Sequence, residues 1–115
     1  MEASARGAKR KGGLTVGILP GSEHSDANPF IDVRVVTDLG QARNVLVVRS
    51  SHVLIALPGE YGTLSEIALA LKIGVPVVGL GGSWSHLQGV VNTSTPEEAV
   101  TQAVTLAEGL NVRMR

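Results

Sequence analysis

Leu54-Ile55-Ala56-Leu57-Pro58-Gly59-Glu60-Tyr61-Gly62-Thr63-Leu64-Ser65-Glu66, continuing into Ile67-Ala68-Leu69-Ala70-Leu71, decides the reading of this chain. The run from His52 to Leu57 is apolar and short, which predicts a buried strand. Pro58, Gly59 and Gly62 punctuate a tight turn, and a helix follows at once, expected to open near Thr63. Strand, glycine loop and helix form the unit that directs helix N-terminal amides at the carboxyl edge of a sheet, where open α/β sheets bind ligands.

The flanking segments repeat the alternation. Glu2 to Lys11 reads as a helix stopped by Gly12-Gly13, and Leu14 to Leu19 as a strand. Ser22 to Pro29 is a polar loop, and Asp32 to Val36 a short β-branched strand. Asp38 is placed to cap a helix over Leu39 to Ser50. Beyond Gly74, Val75 to Leu80 predicts another buried strand, and Gly89 to Asn92 a brief edge strand. Thr95-Pro96-Glu97-Glu98 is a helix start, with Val100, Ala103, Val104, Ala107 and Leu110 as its apolar stripe. The tail from Asn111 to Arg115 is expected to fray. Strands alternating with helices, without hairpin signals, imply a three-layer, Rossmann-like α/β domain with a mostly parallel sheet. No G-x-G-x-x-G fingerprint is present, and the chain opens with a helix rather than a strand.

Composition narrows the function. The chain has 115 residues, 43% of them apolar, 14 glycines and a formal charge of zero, as expected of one globular domain. Zero net charge removes the electrostatic footprint of a nucleic-acid binder, and the cluster Arg6, Lys9, Arg10, Lys11 reads as a solvated helix face. The absence of cysteine rules out disulfides, thiolate metal sites and cysteine nucleophiles. His24, His52 and His86 lack metal-ligand spacing, and no G-x-S-x-G elbow occurs. No membrane-length apolar run or signal-peptide core is seen, so the cytoplasm is the expected compartment.

At the central loop two readings stand side by side. Gly59 and Gly62 allow close approach of a ligand, the helix amides favour an anion, and Arg43 could pair with a phosphate. Equally, Thr63-Leu64-Ser65-Glu66 is an S/T-x-x-E capping box, the role that the pattern alone favours for Glu66. Arg43 by itself is an ordinary surface helix residue, and Trp84 reads as packing rather than ligand stacking.

The stretch Leu57 to Glu66 resembles the P-G-G-x-G-T-x-x-E motif of the Lonely-guy (LOG) family, a superfamily that also holds lysine-decarboxylase-like and molybdenum-cofactor carrier proteins. Gly17-Ile18-Leu19-Pro20-Gly21, Ala27-Asn28-Pro29-Phe30, Gly40-Gln41-Ala42-Arg43-Asn44 and Ile67 to Val77 are similar to the carrier-like branch. The resemblance implies a nucleotide- or phosphate-ligand-binding protein. One alternative is a phosphoribohydrolase, in which Arg43 and Glu66 form the catalytic pair that cleaves the N-glycosidic bond of nucleoside 5'-monophosphates, and another is a non-catalytic carrier or interaction module. It implies a nucleotide or phosphate-bearing ligand at Pro58, Gly59, Glu60, Tyr61, Gly62 and Thr63, with molybdenum cofactor as the alternative cargo and no required cofactor. It also implies a homodimer or larger homo-oligomer. Nothing marks a pyridoxal-phosphate lysine, so lysine decarboxylation is not expected.

Two departures from the motif stand out. Glu60 replaces its second glycine, and the family's opening strand–helix–strand is lacking, so residues 1–115 form a single but incomplete domain. In the family that opening strand separates the strands corresponding to Leu14–Leu19 and His52–Leu57. A truncated product of a longer gene is one expectation. The other is a shortened homologue whose open edge is repaired by rearrangement or by a second copy.

Overall fold

The computed structural model describes residues 1–113. The chain divides into two compact units, the first ending at Leu46 and the second starting at Val47. Each carries its own parallel sheet, so the strands lie in two sheets rather than one.

In the first unit, helix α1 (Glu2–Arg10) is followed by strands β1 (Val16–Leu19) and β2 (Val33–Val36). Gly12, at a φ of 75°, ends α1 by allowing the amides of Gly12 and Gly13 to reach the carbonyls of Lys9 and Ala8. The two strands pair in parallel, with Val16 opposite Val33 and Leu19 opposite Val36. Asp32 fixes the entrance to this sheet. Its Oδ2 accepts from Lys9 Nζ at 2.9 Å and from the Thr15 amide at 3.0 Å, while its own amide donates to Thr15 Oγ1 at 2.9 Å. Those partners, the Lys9 ammonium foremost and the Thr15 amide next, hold the Asp32 carboxyl below the usual carboxylate range.

The expected helix over Leu39 to Ser50 is cut short. Gly40–Arg43 forms a 3₁₀ turn, and only Asn44–Arg49 is α-helical (α2). Asp38 does not cap it, because Asp38 sits in the left-handed region at a φ of 54°. The Asp38 and Gly40 amides donate to the carbonyls of Gly21 and Pro20, which draws this turn onto the end of β1. Those bonds, together with the low helix propensity of Val45, Val47 and Val48, keep the regular helix short.

In the second unit, β3 (Leu54–Ala56), β4 (Val77–Leu80) and β5 (Val90–Thr93) form a parallel sheet in that order. Helix α3 (Tyr61–Ile73) packs against β3 and β4, and α4 (Pro96–Arg113) against all three strands. Adjacent Val77 and Val78 in the central strand point to opposite faces, and both are fully buried, so both faces of this sheet are covered. This is the three-layer arrangement expected. Val48, Leu54, Ala56, Ile67, Ala70, Val77, Trp84 and Val90 make the core of one face. Gly74, at a φ of 86°, ends α3, and its conformation explains the glycine.

Helix α4 starts as expected, with the Glu98 amide donating to Thr95 Oγ1 at 3.1 Å and the Glu98 carboxylate accepting from the Ser94 amide at 3.1 Å. Ala103 and Ala107 belong to its buried stripe as expected, but Ala99 and Leu106 take the places expected of Val100 and Val104. Ala99 is buried and Ala103, Leu106 and Ala107 are half-buried, whereas Val100 and Val104 are 54% and 49% exposed. The side chain of Leu110 lies outside the described residues. The helix extends through Asn111 to Arg113, and Met114 and Arg115 lie outside the described residues. Among the described residues no helix is long and apolar enough to cross a membrane.

Candidate functional site

Four residues, Leu57 to Glu60, connect β3 to α3 at the carboxyl end of the second unit's sheet. Three contacts fix them. Trp84 Nε1 donates to the Leu57 carbonyl at 3.0 Å. Pro58 lies against Gly81, where an added Cβ would meet Pro58 Cγ at 3.3 Å. An added Cβ at Gly59 would collide with Thr63 Oγ1 and come within 3.2 Å of Thr63 Cβ. A glycine is needed at 59 because the helix folds its Thr63 side chain back over the loop.

The helix begins two residues before the expected start. Glu60 is the N-cap residue, and the Leu64 amide makes the first helical bond, to the Glu60 carbonyl at 3.1 Å. Thr63 therefore lies inside the first turn and cannot be an N-cap, so the capping box at Thr63–Glu66 does not form. The Glu60 side chain makes no capping hydrogen bond either. Glu66 lies half-buried in the second turn.

A cavity of about 450 Å³ opens beside this loop, lined by Gly59, Glu60, Tyr61, Leu64 and Trp84. Its volume falls within the range of small-molecule sites. Trp84, 7% exposed, forms a fixed apolar wall, while the Tyr61 ring is 85% exposed. A second cleft of about 390 Å³ lies where β5 meets α4, lined by Asn92, Thr93, Glu97, Glu98, Thr101 and Gln102. It lacks an aromatic wall, and Glu98 there is already engaged in starting α4.

The second unit thus brings Pro58, Gly59, Glu60, Tyr61, Gly62, Thr63 and Glu66 together on one continuous loop and helix. Arg43 belongs to the first unit. Its Nη1 donates to the Ile18 carbonyl at 2.7 Å, and its Nε is buried with no hydrogen-bond partner among the described residues. Part of this guanidinium is committed to holding the 3₁₀ turn against β1. Trp84 is the lining residue that lies outside the loop motif, and Leu64 occupies one of the motif's variable positions. The packing role expected of Trp84 is correct, but the same ring also bounds the cavity. The available signal was its position as the single tryptophan, in a glycine-flanked loop directly after a buried strand.

Electrostatics limits what can face Glu60. A carboxylate about 4 Å from a phosphate costs about 4 kcal/mol at an effective dielectric of 20. The helix dipole returns about 0.3–1 kcal/mol. A polar ring with hydrogen-bond donors suits this corner better than an anion.

The SLOG cluster4 family matches residues 1–110. The chain belongs to that family. An uncharacterized protein of Archaeoglobus fulgidus is 51% identical over 104 residues, a match covering 90% of this chain and 68% of that protein. Among solved structures, the molybdenum cofactor binding protein of the phototrophic bacterium Rippkaea orientalis is 38% identical with a TM-score of 0.82. That match covers 92% of this chain and 70% of the other. The molybdenum cofactor carrier protein of Chlamydomonas reinhardtii is 34% identical with a TM-score of 0.76, covering 90% and 68%. The SLOG cluster4 assignment and the carrier-protein folds agree with the resemblance carried by the Leu57–Glu66 motif.

Proposed function

We propose that this chain is a binding protein for a small heterocyclic ligand of the nucleotide or molybdenum-cofactor kind, held at residues 58–63, and that it carries its ligand rather than transforming it. The observation that supports this most directly is the cavity of about 450 Å³ at the β3–α3 loop, with one apolar wall, one exposed aromatic ring and one carboxylate. The cofactor-binding relatives support the same reading. The residues fit a pterin-type ring. Trp84 and Leu64 supply apolar contact, Tyr61 a stacking face, and Glu60 an acceptor for ring N–H groups. Gly59 lets Thr63 pack close over the loop.

Trp84 is the only tryptophan, so its fluorescence reports directly on occupancy. Titration with guanosine monophosphate, adenosine monophosphate and molybdenum cofactor is expected to give a saturable change with at least one of them. Chromatography after prolonged incubation is expected to show the nucleotides intact. Free adenine released from adenosine monophosphate, and lost in Glu66→Ala or Arg43→Ala, would replace the carrier reading with phosphoribohydrolysis. Self-association is part of the proposal, supported by exposed Val100 and Val104 one turn apart on α4. Light scattering at the mass of a single chain would refute it.

A further inference from the structure

We propose that Glu60 makes the loop cavity selective for a 2-amino-4-oxopyrimidine ring edge, the edge shared by guanine and pterins, over an adenine edge, while Tyr61 supplies a stacking face that does not discriminate between them. This rests on the reading of the loop as the ligand site. The N-cap position of a helix usually carries a short side chain whose oxygen accepts an amide of the first turn. Here that position holds a glutamate, and its carboxylate makes no such bond. The Glu60 side chain therefore takes no part in capping, and Glu60 is one of the residues that line the cavity.

Two parallel acceptors match a ring edge presenting two adjacent N–H donors. The pyrimidinone N–H and its 2-amino group are such a pair. The corresponding adenine edge presents one amino donor beside a ring-nitrogen acceptor, which would face a carboxylate oxygen with no proton between them. Tyr61, the next residue, carries an almost fully exposed ring on the same rim, and Leu64 and Trp84 supply the apolar floor. A planar ring lying on that floor meets Tyr61 with its face and Glu60 with its edge. The charge argument agrees, since a ring with donors meets Glu60 favourably and a phosphate does not.

Calorimetric titration of the full chain with guanosine monophosphate, adenosine monophosphate and 6-hydroxymethylpterin separates the possibilities. The two nucleotides carry the same phosphate, so their difference isolates the ring edge. Guanosine monophosphate or the pterin is expected to bind at least tenfold more tightly than adenosine monophosphate. Binding by the pterin alone identifies pterins as the source of the edge, and binding by both identifies the edge itself. Glu60→Gln, at an exposed position and checked for folding by circular dichroism, is expected to weaken the preferred ligand about tenfold and bring the ratio near one. Tyr61→Ala is expected to weaken all ligands that bind, leaving their ratio unchanged. A native ratio near one, or a ratio unaltered by Glu60→Gln, overturns the inference. If the nucleotides bind equally and lose binding together in Gly59→Ala, the loop remains the ligand site and only the selectivity fails. If none of the three binds, the selectivity inference fails, and if molybdenum cofactor does not bind either, the reading of the loop as the ligand site fails with it.

Discussion

Replacing Trp84 with phenylalanine tests whether the core and the ligand loop are one mechanical unit. The indole N–H donates to the Leu57 carbonyl at 3.0 Å, and the ring belongs to the same buried cluster as Ile67, Val77 and Val90. Phenylalanine keeps most of the ring but removes the donor. The lost hydrogen bond costs about 1 kcal/mol net. The space left by the missing fused ring adds something on the order of 1 kcal/mol. With a urea slope of about 1–3 kcal/mol per molar, the total of about 2 kcal/mol lowers the unfolding midpoint by about 1 M. Far-UV circular dichroism is the suitable probe, because the substitution removes the only tryptophan. Calorimetric affinity for whichever nucleotide or cofactor binds the native chain is expected to fall as well, since Leu57 is the first residue of the loop after β3. A variant with an unchanged midpoint would refute the claim that this bond and this ring hold the loop. Reduced stability with unchanged affinity would show that the cavity does not depend on the loop's anchor.

Two further outcomes follow from the geometry. Gly59→Ala places a methyl group against the Thr63 hydroxyl, a crowding worth about 1–3 kcal/mol; thermal melts should show the loss, and adding Thr63→Ala should restore part of it. The Asp32 carboxyl is held below its ordinary range by Lys9 first and the Thr15 amide next. Its contribution is therefore present above the ordinary carboxylate pKa and is lost as the pH falls through the depressed one. Lys9→Ala should shift the acid-unfolding midpoint of the native chain to higher pH, and an unmoved midpoint would remove Asp32 from the account.

Much of the second unit was legible because its signals are local. A strand ending in Pro58-Gly59, a glycine closing α3 and a Thr95-Pro96 start for α4 each need only a few neighbouring residues to be read. What was misread depends on distant partners. The turn at Asp38 is set by bonds to the carbonyls of Pro20 and Gly21, which periodicity cannot show. The early start of α3 turns on Glu60 taking the N-cap place without the usual side-chain bond, so an apparent capping box at Thr63 was a coincidence of spacing. Part of the stripe on α4 was misread because Val100 and Val104 look like core residues by type, while the smaller Ala99 is the one buried beside the correctly expected Ala103. Division of the strands between two sheets is a property of pairing, and no single strand's composition records it. Among the residues lining the cavity, Gly59, Glu60 and Tyr61 lie in the motif stretch, whereas Trp84 joins them only through tertiary folding.

Gly79, in the middle of β4, has room for no side chain: a Cβ there would stand 2.9 Å from Val90 Cγ1 and 3.8 Å from Trp84 Cβ. Transplanting the Pro58–Thr63 segment onto another α/β protein would therefore fail if only those residues were moved. The recipient's middle strand would also have to be bare at the matching place, or its side chain would strike the valine of the strand beyond it. A designer borrowing this pocket must take a notch in a neighbouring strand along with the loop.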